Sequence, residues 1–172
     1  MSLVVVALTA GVVAGLLLGG SFRRLAGTRL RAVGLLLAGA GCEILTRWVG
    51  GVTGAVILIV GYVLLLGFAW RNVATTGMVL VAVGLLANLT VITVNRGMPV
   101  RGVPPGLTYG WRHHGERPGD HLTGLADVVP VTWLGETVSA GDIVLSLGVA
   151  TVVASLMRSS RRAARPRTES AT

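Results

Sequence analysis

The chain of 172 residues contains no lysine, one cysteine and few aromatic residues, which make up 5% of it. Charged residues are 13% of the total, where a typical soluble domain carries about 25%. The lone cysteine, Cys42, excludes an internal disulfide. It stands inside an apolar run, where a small soft side chain simply packs. A formal charge of +8 suggests a nucleic-acid partner at first sight. The arginines, however, stand at the ends of apolar runs and form no patch on a soluble face, so no nucleic-acid partner is expected.

What the chain does have is apolar length. Hydrophobic residues are 52% of it, and the stretches 3–20, 52–70 and 73–94 carry no charge. Each is long enough to cross a bilayer as a helix, which takes about 20 residues. Five spans are predicted, at about 3–20, 32–49, 52–70, 73–94 and 138–157. The fold expected is all-α: an integral membrane helical bundle of about five transmembrane helices with one long outward loop, 95–137. Residues 1–157 would form one transmembrane domain, and 158–172 a basic, disordered tail. The first span lacks a basic leader and no A-x-A site precedes Arg23, so it reads as a retained helix and not a cleaved signal.

Orientation follows from the arginines, because basic residues beside spans stay in the cytoplasm. The first connection holds Arg23, Arg24, Arg29 and Arg31, the third Arg71, and the tail Arg158, Arg161, Arg162, Arg165 and Arg167, against Arg47 alone in the second. The N-terminus is therefore expected outside, the tail inside and the loop outside. Trp48 and Trp70 lie at span ends, the level an amphipathic indole prefers.

The loop concentrates the chemistry: all three histidines, four of seven acids and five of six prolines fall within 95–137. His113, His114, Glu116, Asp120 and His121 are dense in ligand atoms but match no metal-binding spacing, and Arg112 and Arg117 would repel a cation. No metal, cofactor or catalytic residue is assigned. No G-x-S-x-G surrounds a serine. Residues 125–134 form a second apolar stretch, too short to span, and Trp133 and the prolines suggest that it lies on the outer interface or dips into it.

Three polar residues inside spans come out at one depth below that loop: Glu43, Asn88 and Asp142. A polar group in hydrocarbon is expensive and so marks a candidate site. The plainer roles are structural: Glu43 pairs with Arg47 or a loop arginine, Asn88 bonds a neighbouring helix, and Ser139 with Asp142 forms an S-x-x-[DE] capping box. Gly11, Gly15 and Gly19 form a small-residue stripe that admits a close helix, from the same chain or from a homodimer partner.

The segments Asn88–Val100, His121-Leu122, Leu125–Pro130 and Val138–Asp142 resemble a family of small bacterial membrane proteins catalogued as domain of unknown function 5317, most specifically through Asn-x-Gly-Met-Pro at 95–99 and Ser-x-Gly-Asp at 139–142. The chain departs from the family pattern at Arg96, where a glycine is common. The resemblance implies a bacterial cytoplasmic membrane and points to Asn95, Gly97, Met98, Pro99, His121, Asp127 and Asp142. It brings no reaction or cofactor.

The leading functional expectation is therefore an accessory or interaction protein presenting an extracytoplasmic loop. A small transporter with an outer-leaflet polar site is the first alternative. An enzyme acting on lipid or envelope substrate, with His121 as base oriented by Asp127 or Asp142, is the second and less favoured. The polar site common to these readings is Glu43, Asn88, Asn95, His121, Asp127 and Asp142. The expected partners are the lipid bilayer, anionic lipids at the cytoplasmic arginines, and a membrane protein or second copy.

Overall fold

A computed structural model describes residues 2–102, 110–133 and 135–159; Leu134 and the tail from 160 onward lie outside the described residues. Among the described residues there are six α-helices: α1 (Ser2–Leu17), α3 (Val33–Leu45), α4 (Gly51–Arg71), α5 (Met78–Asn95) and α6 (Ala140–Arg158) follow the apolar runs, and the short α2 (Phe22–Gly27) lies in the first connection. No proline interrupts any of them. α4, α5 and α6 are long and apolar enough to cross a membrane. At 1.5 Å per residue α4 is about 31 Å long, matching a hydrocarbon core of roughly 30 Å. α1 and α3 are equally apolar but shorter. Helix ends are set locally. Ser139 and Asp142 close a capping box at the start of α6, and α5 stops where Arg96 and Gly97 turn to positive φ, 56° and 150°.

The helices pack in the order α1–α6–α5–α4–α3. Leu58, Tyr62, Phe68, Met78, Val81, Leu85, Val152 and Leu156 fill the core among α4, α5 and α6. Glycine lets α5 and α6 meet backbone to backbone: a Cβ on Gly84 would lie 2.5 Å from the amide nitrogen of Leu145, and one on Gly148 2.6 Å from that of Val81. Gly11 and Gly15 serve the α1–α6 contact within the same chain, where a Cβ would come within 2.7 Å of the Ala150 carbonyl and of the Met157 sulfur, respectively. Gly19 lies past the end of α1, at φ 77°, and faces nothing within 4 Å. Because Met157 is fully buried, Gly15→Leu should overpack this contact and lower stability by about 1–3 kcal/mol. Thermal unfolding in detergent checks this, with Val5→Leu on an exposed face of α1 as the tolerated control.

The loop corrects the all-α expectation. It folds into a four-stranded sheet, ordered β2–β1–β3–β4, from β1 (Met98–Val100), β2 (His113–Gly115), β3 (Asp127–Val131) and β4 (Glu136–Ser139). β1 pairs in parallel with β2 and with β3, and β3 and β4 are antiparallel. Strands of three to five residues leave no alternating pattern to read, and β1 pairs with segments distant in sequence. Val91, Met98 and Ala126 bury a small apolar cluster that seats the sheet on the end of α5. At the opposite end of the bundle Asn72 holds the Arg31 backbone through two bonds of 2.8 Å, and Ser21 N donates to Met157 O at 2.9 Å.

Candidate functional site at the sheet end of the bundle

Three polar groups of residues gather where the sheet meets the helix ends. The first ties the loop to α3. Arg112 Nη2 lies 2.8 Å from Glu43 Oε2, and its Nη1 donates to Thr46 Oγ1 at 3.2 Å. The neighbouring Trp111 Nε1 donates to Thr46 O at 3.0 Å. α3 ends at Leu45, so Arg47 is off the helical face that an i,i+4 pair with Glu43 needs; the loop arginine takes that place. Glu43→Leu strands the half-buried Arg112 guanidinium and should cost about 2 kcal/mol, while Glu43→Gln keeps an acceptor for it and should cost about half as much. Equilibrium unfolding of the two variants in one detergent checks the order.

The second group joins α5 to α6. Asn88, 2% exposed, donates from Nδ2 to Asp142 Oδ1 at 2.7 Å and accepts from Ser139 Oγ at 2.9 Å. Ser139 Oγ in turn accepts from Asp142 N at 2.9 Å, and Ser139 N donates to Asp142 Oδ2 at 3.2 Å. Asp142 thus caps its helix and bonds Asn88 at once. The hydroxyl of Tyr62 lies beside Asn88 in the field of Glu43, Asp142 and Arg112. Glu43 and the Asn88–Asp142 pair therefore share one region, coupled through space and not by a direct bond.

The third group lies above. His113 on β2 places Nε2 3.6 Å from Asp127 Oδ2 on β3. Asp127 is 5% exposed, and its Oδ1 is buried with no hydrogen-bond partner among the described residues. Burial, reinforced by the Asp142 carboxylate, pushes the Asp127 carboxyl up to about 7. Burial, then the Arg112 charge, pulls the His113 imidazole below its usual value. Both shifts favour the uncharged forms. A cavity of about 400 Å³ adjoins it, walled by Leu3, Val4, His113, Glu136, Asp142 and Leu145.

Of the residues picked from sequence, Asn88, Asp142, Asp127 and Glu43 come to this region. His121 does not. Its backbone is held by Asn95, whose Oδ1 accepts from His121 N at 2.7 Å and whose Nδ2 donates to His121 O at 2.9 Å, while the residue itself is exposed. Asn95 is thus a fastener between α5 and the loop. His113 stands where His121 was expected. Trp111, Thr46 and Tyr62 were missed, and Arg112 was expected only as an unspecified loop arginine, because only the strand pairing brings 111–113 over α3 and α4. Elsewhere in the loop Arg101 and Glu116 form an ion pair, and His114 Nε2 lies 3.2 Å from both Asp120 carboxylate oxygens. Among the described residues no group of three or more His, Cys, Asp or Glu side chains could hold a metal.

Residues 27–104 match the model of DUF5317, a family of unknown function. It is the family the sequence resembles. The DUF5317 match takes in α3, α4, α5 and β1, with Glu43, Asn88 and Asn95, and stops before Arg112, His113, Asp127 and Asp142. No curated protein and no solved structure matches the chain.

Proposed function

We propose that the chain is a multi-pass protein of the bacterial cytoplasmic membrane that presents its sheet, outside the cell, as an accessory platform for an envelope partner. α1 and α3 complete five crossings with the turns that follow them. The observation that carries the reading is the way the polar loop is built. It is a folded sheet bolted to helix ends by Arg112–Glu43, Trp111–Thr46 and Asn95–His121, and the packed core among α4, α5 and α6 below it is apolar.

Charge supports the orientation. Every acid among the described residues (Glu43, Glu116, Asp120, Asp127, Glu136 and Asp142) is at the sheet end, along with Arg47, Arg96, Arg101, Arg112 and Arg117. The opposite end has Arg23, Arg24, Arg29, Arg31, Arg71 and Arg158 and no described acid. Six arginines flank the helices at that end against Arg47 and Arg96 beside them at the sheet end, a bias that is retained in the cytoplasm and suits anionic lipid headgroups there. Trp48 and Trp133 at one level and Trp70 at the other are exposed, as interfacial indoles are. The apolar core argues against transport, because among the described residues no broken helix adjoins Asn88 and Asp142.

Two measurements test the proposal. Single cysteines at Gly115 and Ala163, in a Cys42→Ala background, should label from opposite sides of the membrane; same-side labelling removes the topology. A photo-crosslinking residue at Trp133 should trap a discrete envelope component in cells, while one at the lipid-facing Leu147 should not. Equal capture at both positions, or ion flux through the purified protein in liposomes, overturns the accessory role.

One observation favours a second reading, acid–base catalysis on a lipid or envelope substrate: the His113–Asp127 pair beside a cavity. Product formed from a bacterial lipid extract and lost in His113→Gln would select it.

A further inference from the structure

A second cavity, of about 190 Å³, lies on the outer flank of α4 and α5, away from His113. Ala55, Leu58 and Ile59 of α4 and Ile92 of α5 form its walls, and Arg96 and Trp111 stand at its mouth. Ile59 is eight residues below the start of α4, so the groove runs about 12 Å down the helices. Both helices are long and apolar enough to cross a membrane, which places that length against acyl chains.

The mouth of the groove is cationic. Arg112 is committed to Glu43 and Thr46. Arg96 is exposed, and its guanidinium has no ion pair or hydrogen bond among the described residues. No acid lines the groove. Arg96 also sits at the end of α5 with φ 56°, a left-handed conformation that costs an L-residue roughly 1–2 kcal/mol and that glycine would adopt freely. Trp111 is a fixed roof: a Cβ on Gly50 or Gly54 would come within 3.1 Å and 2.7 Å of its ring, and its Nε1 is bonded to Thr46.

We propose that this groove binds an outer-leaflet phospholipid of net negative charge, with the phosphate at Arg96 and the first methylenes between Ile59 and Ile92. The anionic class follows from the charges. A zwitterionic headgroup would bring an ammonium to a mouth with no carboxylate to receive it, whereas a headgroup such as phosphoglycerol adds no cation. The inference rests on the membrane placement proposed above, and its test separates the two.

The probe is Trp111 as the sole tryptophan, with Trp48, Trp70 and Trp133 each changed to Phe in the full chain. Its fluorescence is read in bilayers containing phosphatidylglycerol or phosphatidylcholine brominated near the glycerol end of the acyl chain. The phosphatidylglycerol should quench at about a five-fold lower mole fraction, the ratio that roughly 1 kcal/mol per guanidinium gives. Arg96→Gln should erase the difference, Arg96→Lys should retain most of it, and Arg23→Gln with Arg24→Gln should leave it unchanged. Equal quenching by the two lipids, or a preference that survives Arg96→Gln, overturns the proposed lipid site while the membrane placement stands. Loss of the preference in excess soluble glycerol phosphate makes the free headgroup the ligand and overturns the lipid assignment. No quenching by either lipid overturns the membrane placement itself.

Discussion

Asn88→Leu should be the most damaging single replacement in the bundle, with a loss of about 3–5 kcal/mol in equilibrium unfolding. Leucine keeps the branched outline of asparagine but is bulkier, so overpacking against the close Gly141 backbone adds to the loss of the polar contacts. Asn88 is 2% exposed and bonds Ser139, which is fully buried, and Asp142, which is half-buried at the cavity wall. Asp142 Oδ1 loses its 2.7 Å donor and Ser139 Oγ its 2.9 Å acceptor. A buried polar group left unpaired costs about 1–3 kcal/mol, and an ionised one more. The capping box survives locally, since its own bonds do not involve Asn88. The damage should therefore fall on the α5–α6 contact and leave the helicity of α6 intact. A double-mutant cycle with Asp142→Ala should give a coupling of about 1–3 kcal/mol. Additive losses would mean that the two side chains do not act on each other as the geometry has them.

This pair also marks how far the sequence could be read. Depth along a helix is a matter of counting, so Asn88, Asp142 and Glu43 could be set at one level from helical rise and arginine placement alone. The partner of Glu43 could be narrowed only to Arg47 or a loop arginine. Arg47 was nearest in sequence, but Leu45 ends the helix, and the guanidinium that arrives is Arg112, 69 residues away. The loop is where reading failed, and the reason is physical. Its strands are three to five residues long, and β1 contains Pro99 in an interior position of the sheet. Their order depends on parallel pairings between distant segments, so nothing local announces them. The choice between His113 and His121 rests on that same register. Met98 pairs with His113 and Val100 with Asp127, which brings His113 to Asp127, while His121 falls in a turn held by Asn95. The helical core was legible because apolar runs are local; the glycine stripe was legible as a close contact, but only coordinates say that α6 of the same chain fills it at Gly11 and Gly15.

The His113–Asp127 pair carries the second large prediction, a stability that depends on pH. The groups facing the Asp127 carboxyl are His113 from β2 and Asp142 from α6, and no arginine contributes to its shift. Its carboxyl stands at about 7 in the folded chain against 3.8 as the ordinary value. A raised value means that the folded state holds the proton more tightly than the unfolded state. The associated stability is therefore complete below about pH 4, falls as pH rises, and is lost above about pH 7. The span between the two values corresponds to roughly 4 kcal/mol as an upper limit. His113 acts in the opposite direction, because its folded value is lowered: its unfolded form takes up the proton first, so its contribution improves as pH rises towards 6.5. The measured slope of the parent is thus a partial cancellation, and Asp127→Asn separates the parts. An amide stands in for the protonated carboxyl and cannot ionise. The variant should resemble the parent near pH 4 and exceed it in stability at pH 8, with the profile left to His113 rising with pH. Asp142→Asn should shrink the Asp127 contribution without reversing it, since the neighbouring charge is the lesser cause and burial the greater. Parallel profiles for parent and Asp127→Asn between pH 4 and pH 8 would mean that the carboxyl is ionised throughout, with water or a cation reaching the Oδ1 that is buried here.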